Sequence, residues 1–302
     1  MTDADIEKFK ADTESSMINS LASVSGKVSQ LASFQTFKGT PNGIGAELDR
    51  YMGITKEDVM RVFKKYIKDQ PYVLISVLAS EGAKPAKEDN FVFQTEGKNP
   101  FPTTDYSKMV YNKASGDTFD RSKKPGLGAN PVVKVPEFWT STFKNGMKVI
   151  GTKSDEIPTV SLQLTINGGH KLDAIDKSKS GLASLTGNMM NETTKNYTSE
   201  AIQEELRKLG SSVSMFAGRG STTMFVSSLK KNLPATLKFA EEILMNPLFA
   251  EEDFERLKKQ QLEEIKSSRK NPSVTASQVY NRLLYGKDHI YAIPASGDEG
   301  SV

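Results

Sequence analysis

At roughly 150 residues per domain, 302 residues make about two domains, each able to bury its own core, so a small module dependent on staples is excluded. Lys and Arg number 40 against 37 Asp and Glu with no basic block, which gives a nucleic-acid partner no support, and no run of about 18 apolar residues exists to span a membrane. Cysteine is absent, which removes disulfides, thiolate zinc sites and cysteine nucleophiles, and any imidazole chemistry must use His170 or His289.

The amino terminus is acidic and polar, unlike a signal peptide. From Ile6 to about Ser33 apolar residues recur at spacings of three and four, which predicts one or two amphipathic helices ended by the turn formers Lys38 to Gly43. Thr55, followed by Glu57 and Asp58, predicts the start of a short helix running to about Ile67. The apolar run Pro71 to Leu78 reads as a buried strand. Six of the 13 prolines then fall between Pro85 and Pro136, marking a long surface connector that argues for two domains.

Beyond it, Asn145-Gly146 between short apolar segments predicts a hairpin. Residues Thr159 to Ile166 alternate with period two, as a half-buried strand does, and Asn167-Gly168-Gly169 breaks them. Helices are expected from Gly181 to about Asn191 and from Ser199 to Leu209, strands at Val213 to Ala217 and Thr223 to Leu229, and helices at Leu233 to Met245, Glu251 to about Lys270 and Val274 to Leu284. Paired strands followed by paired helices predict an α+β fold, a two-layer sandwich of mostly antiparallel sheet packed by helices.

Residue chemistry alone offers little catalysis. His170 reads as a polar loop residue at a strand end, His289 as incidental, and Met189 with Met190 as core filling. Gly218-Arg219-Gly220 lacks the third glycine and the strand-to-helix setting of a dinucleotide loop. The neighbouring pairs Glu204-Glu205 and Glu241-Glu242 read as helix-face charges, because paired catalytic carboxylates come from separate elements around a cleft.

One order of segments is more specific. "NGMKVI", then "NGGH", then "SGLASLTGNMM", "IQEELRKLGSSVS" and "LKFAEEILMNPLFAEEDFERLKKQQLEEI" together resemble the amino-terminal layer of the pitrilysin/insulinase family of zinc peptidases, which includes the mitochondrial processing peptidase. "ITKEDVMRVFKKYIKDQPYVLISVLAS" resembles the close of a carboxy-terminal domain of the same family. The resemblance implies three parts: residues 1–80 ending one pitrilysin-like domain, a proline-rich connector over 81–137, and residues 138–302 opening a second, non-catalytic one.

The family holds zinc on a helix bearing His-x-x-Glu-His, where two histidines four apart share a face and the glutamate activates the bound water. Gly181-Leu182-Ala183 resembles the lead-in to that motif, and the three motif positions here are Ser184, Gly187 and Asn188. A hydroxyl and a carboxamide are poor zinc ligands, and glycine supplies no base. The family's third ligand falls on Glu264, 76 residues after Asn188, which by itself reads as a solvated helix carboxylate. Ser184 has no neighbouring base to make it a nucleophile.

The expectation is therefore a zinc metalloendopeptidase half that lacks catalytic residues and cofactor. Zinc is expected only in the intact half of the complete protein. The implied partners are that catalytic half or subunit and an unfolded peptide substrate, which this half would help enclose. The alternative is a non-proteolytic scaffold that keeps the fold. For a bacterial source the family analogy implies the periplasm.

Overall fold

The computed structural model describes residues 1–72, 77, 105–110, 120, 122–124, 126, 128–130, 132 and 135–302. Most of the strand expected at Pro71 to Leu78 and most of the connector lie outside the described residues.

Local signals set the first helices. α1 (Asp3–Ser20) begins at a capping box in which Thr2 and Asp5 exchange side-chain to backbone bonds. α2 (Val24–Lys38) is capped by Ser23 and stopped by Gly39, whose φ of 74° is left-handed. α4 (Lys56–Tyr66) has a second capping box between Thr55 and Asp58, as its sequence predicts. Between them stands α3 (Ile44–Met52), which the sequence reading missed. It follows a run of turn formers and has no side-chain cap, so nothing local announces it.

Packing groups the chain differently from the division at 80 and 138. Residues 1–67 and 154–302 form one compact unit, and Lys68–Lys153 the other. The cause within the first unit is α1. Ser15 Oγ donates to the Gly210 carbonyl at 2.8 Å, Lys231 Nζ reaches Glu14 at 2.7 Å, and Lys8 pairs with Glu204. The second unit holds a hairpin, β1 (Phe138–Thr142) and β2 (Lys148–Thr152), closed by a turn in which Gly146 N–H donates to Phe143 O. Gly151 lies under the Trp139 indole, where a Cβ would come within 2.3 Å of the ring.

The main sheet has the order β3 (Thr159–Asn167), β5 (Ser221–Leu229), β4 (Ser212–Ala217), antiparallel throughout. α6 (Ser199–Lys208) and α7 (Leu233–Met245) cover one face of β4 and β5. Ile202 and Leu206 from α6, Val213 and Met215 from β4, Met224 and Val226 from β5, and Ala240 and Ile243 from α7 form the core. The fold is α+β with helices layered on an antiparallel sheet. The half-buried pattern expected of β3 does not hold: Leu162 and Ile166 are 41% and 42% exposed, and Leu164 packs against the core. β3 is an edge strand standing outside the main cover of α6 and α7. A second, smaller cluster joins α5 (Leu182–Met189) to α8 (Glu251–Ser268) through Leu185, Met189 and Leu257. α9 (Pro272–Tyr285) follows and buries no residue fully.

Candidate functional site

α5 carries the three positions singled out from sequence. Its start is not capped locally, for Gly181 adopts a left-handed φ of 101° and offers no side chain. The cap comes from eight residues upstream. Asp173 accepts from Gly181 N–H at 3.1 Å and from Ala183 N–H at 3.2 Å, placing a carboxylate at the positive end of the helix. Neither Asp173 nor its neighbour His170 was recognised as structural from sequence. His170 is 2% exposed, not a polar loop residue; its partners are Asp173 and two carbonyls about 120 positions away.

The end of α5 is fixed to the outer edge of β4. Asn191 donates from Nδ2 to Met215 O at 2.7 Å and accepts from Met215 N–H at 2.7 Å, satisfying backbone groups of an edge strand. This contact presses the helix onto the strand. Ser184 is half-buried, Asn188 is exposed and Gly187 is buried. A Cβ on Gly187 would lie 2.7 Å from Ala217 N and 3.2 Å from Ala217 Cβ, so no side chain fits there unless β4 moves.

Glu264 is exposed on α8, three residues beyond the buried Gln261. Gln261 donates from Nε2 to Ser296 O at 2.8 Å and approaches Gly181 O at 3.4 Å, tying α8 to the start of α5. Among the described residues no group of three or more His, Cys, Asp or Glu side chains is placed to hold a metal ion.

The remaining residues noted from sequence are distributed around this helix. Met189 is core and Met190 packs against the larger cluster. Gly218, Arg219 and Gly220 turn β4 into β5, and their carbonyls accept from His170, Lys171 and Gly168, so the loop presents acceptors rather than a phosphate cradle. His289 is exposed, stacks on Tyr285 and accepts from Tyr291 N–H. Glu204 and Glu205 pair with Lys208 on the surface of α6.

Glu242 is not a helix-face charge. It is 8% exposed and accepts from Asn196 N–H and Nδ2 and from Asn246 Nδ2, at 2.8 to 3.3 Å. Burial opposes its ionisation, but hydrogen bonds from Thr194, Asn196 and Asn246 outweigh that and hold the carboxyl below its ordinary range. A depressed value means that this stabilisation is whole above the ordinary glutamate pKa of about 4.3 and is lost as pH falls through the lower folded value. Glu242→Gln is expected to cost about 1–3 kcal/mol at pH 7. Urea midpoints should show that cost shrinking at about pH 3, with the wild type declining toward the variant.

The comparisons bear on the same stretch. Residues 148–289 match the profile of "Insulinase (Peptidase family M16)". Over these residues the chain resembles an insulinase-family domain.

Several relatives carry related names. The domain's chain is 24% identical over 160 residues to a Rickettsia felis protein named as an uncharacterized zinc protease, covering 53% of this chain and 38% of that one. Bovine cytochrome b-c1 complex subunit 1 is 23% identical over 51% of this chain and 31% of its own. A probable mitochondrial-processing peptidase subunit beta from Arabidopsis thaliana is 24% identical over 42% and 24%. The chain therefore spans between 24% and 38% of these relatives' lengths. Among solved structures, a peptidase M16 inactive domain from Pseudomonas fluorescens superposes with a TM-score of 0.51 at 28% identity, over 55% of this chain and 40% of that one. The helix that carries Ser184, Gly187 and Asn188 within this matched stretch is α5, held at its two ends by Asp173 and Asn191.

Proposed function

We propose that residues 138–302 belong to the non-catalytic half of a zinc metalloendopeptidase, a half that binds and helps enclose unfolded peptide while a partner half or subunit cuts. Residues 1–80 on this reading close a preceding pitrilysin-like domain. The observation that carries it is Gly187. The position where the family places its base lies against the Ala217 backbone with no room for a Cβ. The flanking donors, a half-buried hydroxyl at Ser184 and an exposed carboxamide at Asn188, with Glu264 the one family ligand type remaining, do not fit a zinc ion.

What this half offers instead is an open sheet face. On the side of β4 and β5 away from α6 and α7, Phe216 and Phe225 stack at 5.6 Å between ring centres and stand 48% and 40% exposed. By register the exposed Gln163, Thr165 and Ser214 share that face, with Thr223 buried among them. Two flat apolar rings among short polar groups suit an extended peptide, whose backbone needs hydrogen-bond partners and whose apolar side chains need cover.

Titrating the chain into a fluorescently labelled unfolded peptide tests the reading. Phe216→Ser together with Phe225→Ser is expected to weaken binding at least about tenfold, the equivalent of 1.4 kcal/mol, without changing helical circular dichroism. Wild-type chain that binds no peptide removes the substrate-binding role. Zinc-dependent, chelator-sensitive cleavage removes the non-catalytic one.

A further inference from the structure

The main sheet is free of charge. No residue of β3, β5 or β4 is Asp, Glu, Lys, Arg or His, although 25% of the chain is charged. On the face under α6 and α7 that is ordinary, because an unpaired charge is costly to bury. On the open face folding does not demand it. Ser161, Gln163 and Asn167 on β3 and Ser212 on β4 are exposed there, as are Phe216 and Phe225, and exposed strand positions accept charged side chains readily. β3 is moreover an edge strand, where sheets commonly carry a charge to block unwanted pairing.

Charges resume only past the strand ends, and several of those are already engaged. Glu156 before β3 pairs with Lys27, Arg219 between β4 and β5 lies over the Tyr291 ring, and Lys231 after β5 pairs with Glu14. A charged side chain laid on this face would leave water and meet hydroxyls, amides and two rings, with no opposite charge to offset its desolvation. An anion would in addition face the negative ring faces, whereas a cation would recover part of its loss from them.

Resting on the peptide-binding reading of this face, we infer that it selects uncharged stretches of extended peptide, rich in hydroxyl, amide and aromatic side chains, and turns away stretches that carry charge of either sign. Specificity here comes from what the face withholds: a charged competitor finds no partner, while a neutral one keeps its hydrogen bonds and covers the two rings.

Labelled nine-residue peptides, the length of β3, titrated with the whole 302-residue chain test this. One consists of Ser, Thr, Gln and Phe; in the second half of the polar residues are Glu, and in the third the same positions are Lys. At about 150 mM salt the neutral peptide should bind at least about tenfold more tightly than the Glu peptide and about threefold more tightly than the Lys peptide. That order opposes the chain's net charge of +3, which by attraction alone would rank the Glu peptide first. Gln163→Lys sets a cation on the open face opposite Phe225; with helical circular dichroism unchanged, it should tighten the Glu peptide at least about tenfold over its wild-type affinity and weaken the Lys peptide. Either charged peptide matching the neutral one on the wild-type chain overturns the inference, as does a Gln163→Lys chain that ranks the three as the wild type does. If all three bind equally, the selectivity alone falls; if none binds, the peptide-binding reading falls with it.

Discussion

A chain carrying Ser184→His, Gly187→Glu and Asn188→His together will bind no stoichiometric zinc and cleave no peptide above background. Supplying the three side chains does not make a site when the neighbouring backbone leaves no room for one of them. The glutamate would have to begin from a Cβ 2.7 Å from Ala217 N, where ordinary contacts start at 3.4 Å. Separating helix from strand would strain the paired bonds between Asn191 and Met215. Gly187→Ala alone isolates the steric part and should cost about 1–3 kcal/mol, the usual penalty of overpacking, read from chemical denaturation. Metal analysis after dialysis checks the triple variant, and one zinc per chain with chelator-sensitive hydrolysis would show that α5 and β4 can part.

Ile202→Ala should have a large effect, a loss of about 2–5 kcal/mol. Its side chain is 1% exposed on the face of α6 that meets the sheet, inside a cluster drawn from two strands and two helices. Because α1 packs along the same helix, the cavity opens where several segments converge. Leu162→Ala, on the exposed edge strand, is the control and should stay within about 0.5 kcal/mol. Equal midpoints in urea for the two variants would refute the placement of the core.

What could be read from the sequence was what is decided locally. The boundaries of α4 follow from Thr55 and Asp58, and α6 starts at its Thr198 cap; the hairpin follows from Asn145-Gly146. α3 has no such marker, and alternation in β3 says nothing about whether a helix will cover it. Family resemblance pointed to α5 and to Ser184, Gly187 and Asn188. It could not show that Gly187 is walled in, because the wall is Ala217, 30 residues later. His170 and Glu242 were misread for the same reason. One is satisfied by Ile290 and Ile293, the other by Asn196, partners 120, 123 and 46 positions away that no window of sequence contains.

The remote cap on α5 also makes the helix dependent on long-range contacts. An eight-residue helix that begins at a left-handed glycine has too few internal bonds to persist alone. Its first turn is bonded to Asp173, which is bonded to His170, which in turn meets the carbonyls of Ile290 and Ile293. The cover of Leu185 and Met189 is likewise remote, for it comes from Leu257 and Phe254 of α8.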